Sequence, residues 1–296
     1  MMIKKKFICS AMAVLLIACG APEEDEPIVT PSTVETADDQ KEENNAPKKA
    51  EITETLLYDA NGITVTANSL NLDGFMGPEV KLNIRNESDK NITVQTGASA
   101  VNGMMFTGTL SEDVAAGKTA NSSISFLNTE MDANNIKTIG EMTIDLHIYD
   151  TDAWQMIDDP EPVTLKTTAD GTFTQECDDS GDVIYDNNGI KVVCKGLNPQ
   201  DSWIGPGIEL YIENNSDQYT TIQTCNTSIN DIMIDPVFSQ NMMPHTKVVT
   251  SISFLDKVLT DNNIETISKA EFNLRFFSTK DMMQEPDSDK ITLSFN

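Results

Sequence analysis

Two long stretches of this 296-residue chain are copies of each other. Leu57-Tyr-Asp-Ala-Asn-Gly-Ile63 returns as Ile184-Tyr-Asp-Asn-Asn-Gly-Ile190 at an offset of 127 residues, and from Gly77-Pro78 onward the offset is 128. Solenoid and propeller units repeat every 20 to 50 residues or so, which is much shorter than this period. We therefore expect each copy to be a domain with its own hydrophobic core.

Within each copy, apolar and polar side chains alternate along short segments. Val80, Leu82 and Ile84 share one face of such a segment, as a half-buried β-strand requires. Asn61-Gly62 and Asn188-Gly189 are typical of tight hairpin turns, because both residues tolerate positive φ. The strands predicted in the first copy are 55–59, 63–70, 78–86, 91–101, 103–109, 118–127, 141–150 and 162–167.

Seven or eight short strands in about 110 residues indicate an all-β fold, and specifically a β-sandwich. Residues 129–139 break the alternation and predict one or two helical turns that cross between the sheets. The sequence thus divides into a first repeat (residues 55–168), a linker (169–181) and a second repeat (182–296).

The N-terminus has the features of a secretory signal peptide, residues 1–18. Lys4, Lys5 and Lys6 precede an apolar run of about a dozen residues, which is shorter than the roughly 20 that a spanning helix needs. Leu16-Ile17-Ala18-Cys19 resembles the lipobox of bacterial lipoproteins. The resemblance implies that cleavage occurs before Cys19 and that its thiol carries a diacylglyceryl anchor in the cell membrane.

Residues 19–54 are dense in acidic residues and proline, and we predict a disordered acidic stalk between the lipid and the first repeat. The whole chain has 20 basic and 47 acidic residues, and loss of the three signal-peptide lysines leaves a net charge of about −30. Nucleic acid is therefore excluded as a partner.

The order of Tyr-Asp-x-Asn-Gly-Ile, Gly-Pro with an alternating strand, Asn-x-Ser-Asp and Ser-Ile-Ser-Phe resembles immunoglobulin-like repeats of uncharacterised Gram-positive surface lipoproteins. The resemblance covers nearly all of residues 55–296. It implies two tandem immunoglobulin-like β-sandwiches on the extracytoplasmic face of the membrane. Neither copy has the Cys-Trp-Cys arrangement of antibody domains, and the family has no established activity.

Three cysteines remain after export and lipidation. Cys194 and Cys225 correspond to Ala67 and Gly97 of the first repeat, and this joint change predicts a disulfide, with two separately buried thiols as the alternative. Cys177 has acidic neighbours that should raise its pKa and reduce its reactivity.

Candidate binding residues are few. Asp150, Asp152, Asp158 and Asp159 offer oxygen ligands for calcium in the first repeat, although a solvated acidic loop is the favoured interpretation. Trp154 and Trp203 fall in predicted loops, where each is either a ligand-binding anchor or partly buried packing.

The sequence has no catalytic signature that we recognise. Its two histidines, His147 and His245, do not occupy matching positions, and no His, Cys or Glu residues stand at zinc-ligand spacing. We therefore expect a non-enzymatic surface protein without a cofactor, which binds a protein or glycan or serves envelope architecture. The alternatives are a solute-binding lipoprotein of a transporter and an envelope enzyme with an unrecognised site.

Overall fold

The computed structural model of the protein describes residues 50–202, 204–278 and 283–295. The signal peptide, Cys19 and most of the predicted stalk lie outside these residues. The strands of the first half are β1 (Thr55–Ala60), β2 (Ile63–Asn71), β3 (Glu79–Asn86), β4 (Ile92–Val101), β5 (Met104–Phe106), β6 (Ser111–Val114), β7 (Lys118–Ser125), β8 (Glu141–Asp150), β9 (Gln155–Asp158) and β10 (Val163–Lys166).

The second half repeats this order almost element for element. Its strands are β11 (Asp182–Asn187), β12 (Ile190–Ser202), β13 (Gly205–Asn214), β14 (Thr220–Ile229), β15 (Ile232–Met233), β16 (Ser239–Met242), β17 (Thr246–Ser253), β18 (Lys269–Ser278) and β19 (Ile291–Ser294). Each half has one short helix, α1 (Asn128–Ala133) or α2 (Asp256–Asp261). Neither of these helices in the described part of the chain is long and apolar enough to cross a membrane.

The predicted all-β class is confirmed, and each repeat places two sheets face to face in a sandwich-like arrangement. In the first repeat, one sheet has the order β1-β2-β3-β7, and the other contains β10-β8-β4-β5. In the second repeat the equivalent orders are β11-β12-β13-β17 and β15-β14-β18-β19. The hairpin prediction is also confirmed, because Asn61, Gly62, Asn188 and Gly189 all have positive φ.

The apolar side chains form two separate clusters within one compact unit. Val80, Leu82 and Ile84 belong to the first cluster, as their alternation predicts. The second cluster contains their equivalents Ile208, Leu210 and Ile212. The domain boundaries themselves stay a prediction.

The two repeats share a sheet through β5. This short strand pairs antiparallel with β4 and, on its other side, parallel with β17, where Met104 is opposite Lys247. Met104 is buried in the first cluster, whereas Met105 packs against the second. Because neighbouring strand residues point to opposite sides, one three-residue strand contributes to both cores.

The chain just before β1 packs against the first repeat. Ala50 is buried, and Ile52 forms an isolated β-bridge with Thr167. Residues 50–54, which the sequence assigns to the stalk, therefore include packed positions.

Candidate functional site

Asp145, His147 and Asp159 come together on the outer face of the β8 sheet. Asp145 and His147 alternate with the core residues Leu146 and Ile148 along β8, so both side chains point away from the core. Asp159 follows β9, which folds back on β8 as a hairpin. We call these three residues the Asp–His–Asp cluster.

The distances within the cluster are short. His147 Nδ1 lies 2.8 Å from Asp159 Oδ1, and one ligand atom from each of the three residues lies within 4.8 Å of the others. Asp145 is buried, His147 is about one quarter exposed, and Asp159 is about half exposed. The cluster is thus open to solvent on the Asp159 side.

A glycine on the neighbouring strand leaves room for the imidazole. A Cβ atom on Gly97 of β4 would lie 2.3 Å from His147 Nε2 and 2.8 Å from Asp145 Oδ2. Any other residue at this position would therefore displace His147 or Asp145.

The second repeat reaches this site through Tyr219. Burial raises the pKa of the Tyr219 hydroxyl, and the nearby carboxylates of Asp145, Glu161 and Asp159 raise it further. A phenol that stays protonated beside several carboxylates can donate a hydrogen bond to one of them.

The second repeat has a different set of residues at the four equivalent positions. Asn273, Arg275, Asp287 and Cys225 stand where the first repeat has Asp145, His147, Asp159 and Gly97. Arg275 donates two hydrogen bonds of 3.0 Å to Asp287, and Cys225 Sγ lies 3.4 Å from the same carboxylate. In the second repeat, the equivalent site therefore contains an Arg275–Asp287 salt bridge.

The acidic residues predicted as a calcium site do not form one group. Asp150 accepts hydrogen bonds from the N–H groups of Asp152 and Ala153 and pairs with Lys90, which lowers its pKa. Asp158 instead accepts a hydrogen bond from Tyr58, 2.7 Å away. Asp152 accepts one from Asn91, and Asp159 belongs to the Asp–His–Asp cluster. The β8–β9 hairpin separates these side chains, so the predicted calcium group is corrected.

Sequence reasoning missed Asp145 and His147. The available signal was their spacing, because residues two apart on a strand share a face. Asp159, the third member, could not be found in this way, because it is twelve residues from His147 and is brought near it only by the β8–β9 hairpin.

Trp154 is a loop residue, as the sequence predicts. It lies in the β8–β9 turn with positive φ, and 73% of its surface is exposed. Trp203, the other predicted anchor, lies outside the described residues.

The predicted disulfide is not present, because its two cysteines point in opposite directions. Cys194 faces the core of the second repeat beside Leu210, and its thiol is free. Cys225 is on the opposite face of its strand from the core residue Ile222, next to Asp287 and Arg275. Its thiol is also free, and burial followed by the Asp287 carboxylate raises its pKa.

Cys177 is part of the contact between the repeats. Its Sγ lies 3.4 Å from the Met104 sulfur, and burial raises the pKa of its thiol as the main cause, with Glu213 and Asp179 adding to the effect. The direction of the expected shift is confirmed, but its chief cause is burial rather than the neighbouring acids.

A groove of the second repeat lies beside α2. Its volume is about 1160 Å³, and its apolar lining consists of Leu197, Pro199, Leu259, Ile264, Ile267 and Phe295. Asp256 and Glu265 add acidic side chains to it. We call it the α2 groove.

The first repeat fills the equivalent space with its own chain. Met131, Ile136 and Ile139, the equivalents of Leu259, Ile264 and Ile267, line a remaining cavity of about 360 Å³ together with Ala50. Residues 50–52, which occupy this space, are held by a backbone hydrogen bond, because Thr168 N–H donates to the Glu51 carbonyl at 2.8 Å.

The segment before the second repeat takes another path. Cys177, which is the equivalent of Ala50, packs against the core of the first repeat, and Gln175 donates a hydrogen bond to the Asn134 carbonyl. The linker therefore leaves the α2 groove uncovered.

Comparison with known proteins adds no relative. No family model matches the chain, and no curated protein matches it.

Proposed function

We propose that this chain is a lipid-anchored, extracytoplasmic binding protein, in which two immunoglobulin-like β-sandwiches are held above the membrane by a short acidic stalk. It binds a protein partner, without catalysis, through an extended segment that lies in the α2 groove. The observation that carries the binding proposal is the difference between the repeats, because an equivalent groove is filled by residues 50–52 in one and is not covered by any described segment in the other.

The filled groove indicates the chemistry of the partner. Ala50 places a small apolar side chain among Met131 and Ile136, while Glu51 bonds through its backbone to the chain that follows β10. Addition of an extended segment to a sheet edge is a common mode of peptide recognition, in which backbone bonds give affinity and side-chain pockets give specificity. We therefore expect an extended segment with small apolar residues.

Charge further narrows the partner. Asp256 and Glu265 border the α2 groove, and the chain as a whole carries a net charge of −27. In the chain itself, Lys48 and Lys49 directly precede Ala50 in sequence. A partner segment with basic residues beside its apolar anchor would have complementary charge.

Site-specific cross-linking in the intact envelope tests this proposal. A photoreactive amino acid replaces Thr266, which is exposed at the α2 groove, or its equivalent Thr138 in the first repeat. We expect a protein adduct at position 266 that a peptide of residues 46–54 suppresses, and no such adduct at position 138. Equal adducts at both positions, or an adduct at 266 that the peptide does not reduce, would exclude the groove as the binding site.

Peptide binding to the purified protein tests the same difference between the two grooves. The fluorescent peptide of residues 46–54 should bind the full chain, and Thr266→Arg should weaken its binding more than about tenfold because the arginine side chain enters the groove. Thr138→Arg is the matched control and should leave binding unchanged. Loss of binding in both variants would show that the peptide does not distinguish the grooves.

The membrane anchor has its own test. Two acyl chains on Cys19 would hold the protein firmly, since each buried methylene contributes about 0.8 kcal/mol. Metabolic labelling with a fatty acid should disappear in a Cys19→Ala variant, whereas Cys9→Ala should still be labelled. Labelling that persists in the Cys19 variant would refute the lipid anchor.

A further inference from the structure

We propose that the Asp–His–Asp cluster of the first repeat binds a divalent transition-metal cation, with Zn²⁺ as the best-suited ion. This inference is independent of the α2 groove, which lies in the other repeat. It rests on the ligand geometry, on the space beside Gly97 and on the residues that replace the cluster in the second repeat.

The donor set has the composition of a zinc site. An imidazole nitrogen and two carboxylate oxygens lie mutually within 4.8 Å. The ligand atoms of a four-coordinate zinc ion are roughly 3.4 Å apart, so these side chains must move closer to bind one. Zn²⁺ binds His nitrogen and carboxylate oxygen at about 2.0 to 2.2 Å, so small rotations of the side chains would complete the site. A water molecule would supply the fourth ligand.

Each side of the imidazole faces a carboxylate. Nδ1 is 2.8 Å from Asp159 Oδ1, and Nε2 and Asp145 Oδ2 both lie close to where a Cβ atom on Gly97 would stand. An ion held by Nδ1 and Asp159 would take the place of the proton between them, with the Asp145 carboxylate turned toward the same ion.

Gly97 allows the His147 imidazole and the Asp145 carboxylate to lie close to the backbone of β4. A Cβ atom at this position would lie too close to both Nε2 and Asp145 Oδ2. The second repeat has Cys225 at the equivalent position and no histidine to accommodate.

In the second repeat, a positively charged side chain of the protein itself occupies the same place. Its Arg275 guanidinium occupies the position of the His147 imidazole and pairs with Asp287, the equivalent of Asp159. Asn273 replaces the second carboxylate, so this repeat has one negative group for one built-in positive group. The first repeat has two carboxylates and an imidazole, which is the charge pattern that a divalent ion satisfies.

A bound ion would connect β8 to the segment after β9. Because Asp145 and His147 are on the strand and Asp159 is on the segment that folds over it, the ion would stabilise the folded protein in proportion to its occupancy. Thermal stability is therefore a second readout that does not depend on detecting the metal.

The test uses the purified full chain after treatment with a chelating resin. Titration with Zn²⁺ in competition with a chromogenic chelator should show one equivalent bound, with a rise in Tm on addition of the metal. Co²⁺ at the same site should give the visible absorption of a four-coordinate centre.

Two histidine variants provide a matched pair. His147→Ala should weaken Zn²⁺ binding more than about tenfold and abolish the rise in Tm. His245→Ala should leave both unchanged, because His245 contacts only the exposed Asp217 in the described part of the chain. Equal Zn²⁺ affinity in the two variants would overturn the proposal, as would the failure of the natural chain to bind one equivalent.

A third variant guards against misfolding. His147→Arg reproduces the residue of the second repeat, and we expect it to fold with an unchanged or higher Tm without metal while it no longer binds Zn²⁺. Gly97→Ala should also lose the metal, since its Cβ would displace the His147 and Asp145 side chains. Retention of Zn²⁺ affinity in His147→Arg would contradict the assigned ligand set.

Discussion

His147 and Arg275 occupy equivalent positions in the two repeats, and each contacts the aspartate that follows it by twelve residues. The two contacts therefore have the same position in the fold but different chemical groups. In the second repeat, the contact is a bidentate ion pair that is about one third exposed. In the first repeat, it is an imidazole–carboxylate contact with a second carboxylate nearby.

The Arg275–Asp287 pair should make stability depend on pH. The Arg275 guanidinium lowers the pKa of Asp287 below its unfolded value of about 3.9. Its stabilising contribution is therefore complete above that value and is lost as the pH falls through the folded-state pKa. Asp287→Asn should lower the free energy of unfolding by about 1 kcal/mol at pH 7, after allowance for solvent screening.

Urea unfolding at pH 7 and near pH 2.5 measures this difference. The gap between Asp287→Asn and the natural chain should narrow at the lower pH, and the exposed neighbour Asp289→Asn should show no gap at either. A gap of equal size at both pH values would mean that the carboxylate charge does not contribute.

A buried asparagine organises the turn after the third strand of each repeat. Asn214 donates from Nδ2 to the Gln218 and Met243 carbonyls, and its Oδ1 accepts from the N–H and hydroxyl groups of Ser216. Asn86 has the same arrangement in the first repeat. Since both polar ends are satisfied and buried, loss of the amide leaves several groups without partners.

We therefore expect Asn214→Ala to lower the free energy of unfolding by about 2 to 4 kcal/mol. Asn214→Asp should be at least as destabilising, because it places a carboxylate oxygen against two carbonyl oxygens. The exposed neighbour Asn215→Ala is the control. Calorimetry that finds the three variants equally stable would refute a structural role for the Asn214 network.

The three cysteines of the repeats should all be free thiols. Burial raises the pKa of Cys177, Cys194 and Cys225, so each should react slowly with iodoacetamide at neutral pH in the native protein. Mass spectrometry without reductant should find all three alkylated after unfolding. A peptide that joins Cys194 to Cys225 would contradict the orientation of these strands.

Gly205 should tolerate no side chain. Its φ is +143°, and a Cβ atom would lie 2.2 Å from the Phe254 carbonyl oxygen. Gly196 has a similar φ of +129° but open space around it. Gly205→Ala should therefore cost more than about 3 kcal/mol of stability, and Gly196→Ala about 1 to 2 kcal/mol from backbone strain alone. Equal losses in thermal unfolding would show that the close approach at Gly205 is not limiting.

The repeat and the two-residue alternation predict most strands because both are local properties of the chain. Strand 141–150 and the Asn61-Gly62 hairpin agree with the structure, and the predicted helical segment at 129–139 contains all of α1 except its first residue. Short strands β6 and β9 were missed, since four polar or mixed residues carry too little periodic signal.

The site was less predictable because it depends on contacts between distant segments. Asp150, Asp152, Asp158 and Asp159 are close in sequence, but a hairpin directs them to different partners. The Cys194–Cys225 prediction treated joint replacement as evidence of contact. Alternation alone places Cys194 on the same face as Val192, which is the core face, and Cys225 on the same face as Gln223, which is the surface face.

The two repeats contribute different surfaces to the contact at β5. The outer face of the second repeat offers the buried side chains Val193 and Tyr211, whereas the equivalent positions of the first repeat are Thr66 and Asn83. Met233, the equivalent of Met105, is exposed, so one end of the molecule keeps the inserting residue. At the positions of Thr66 and Asn83 the other end carries polar side chains, so a second copy of the chain does not offer Met233 the apolar side chains that Val193 and Tyr211 provide.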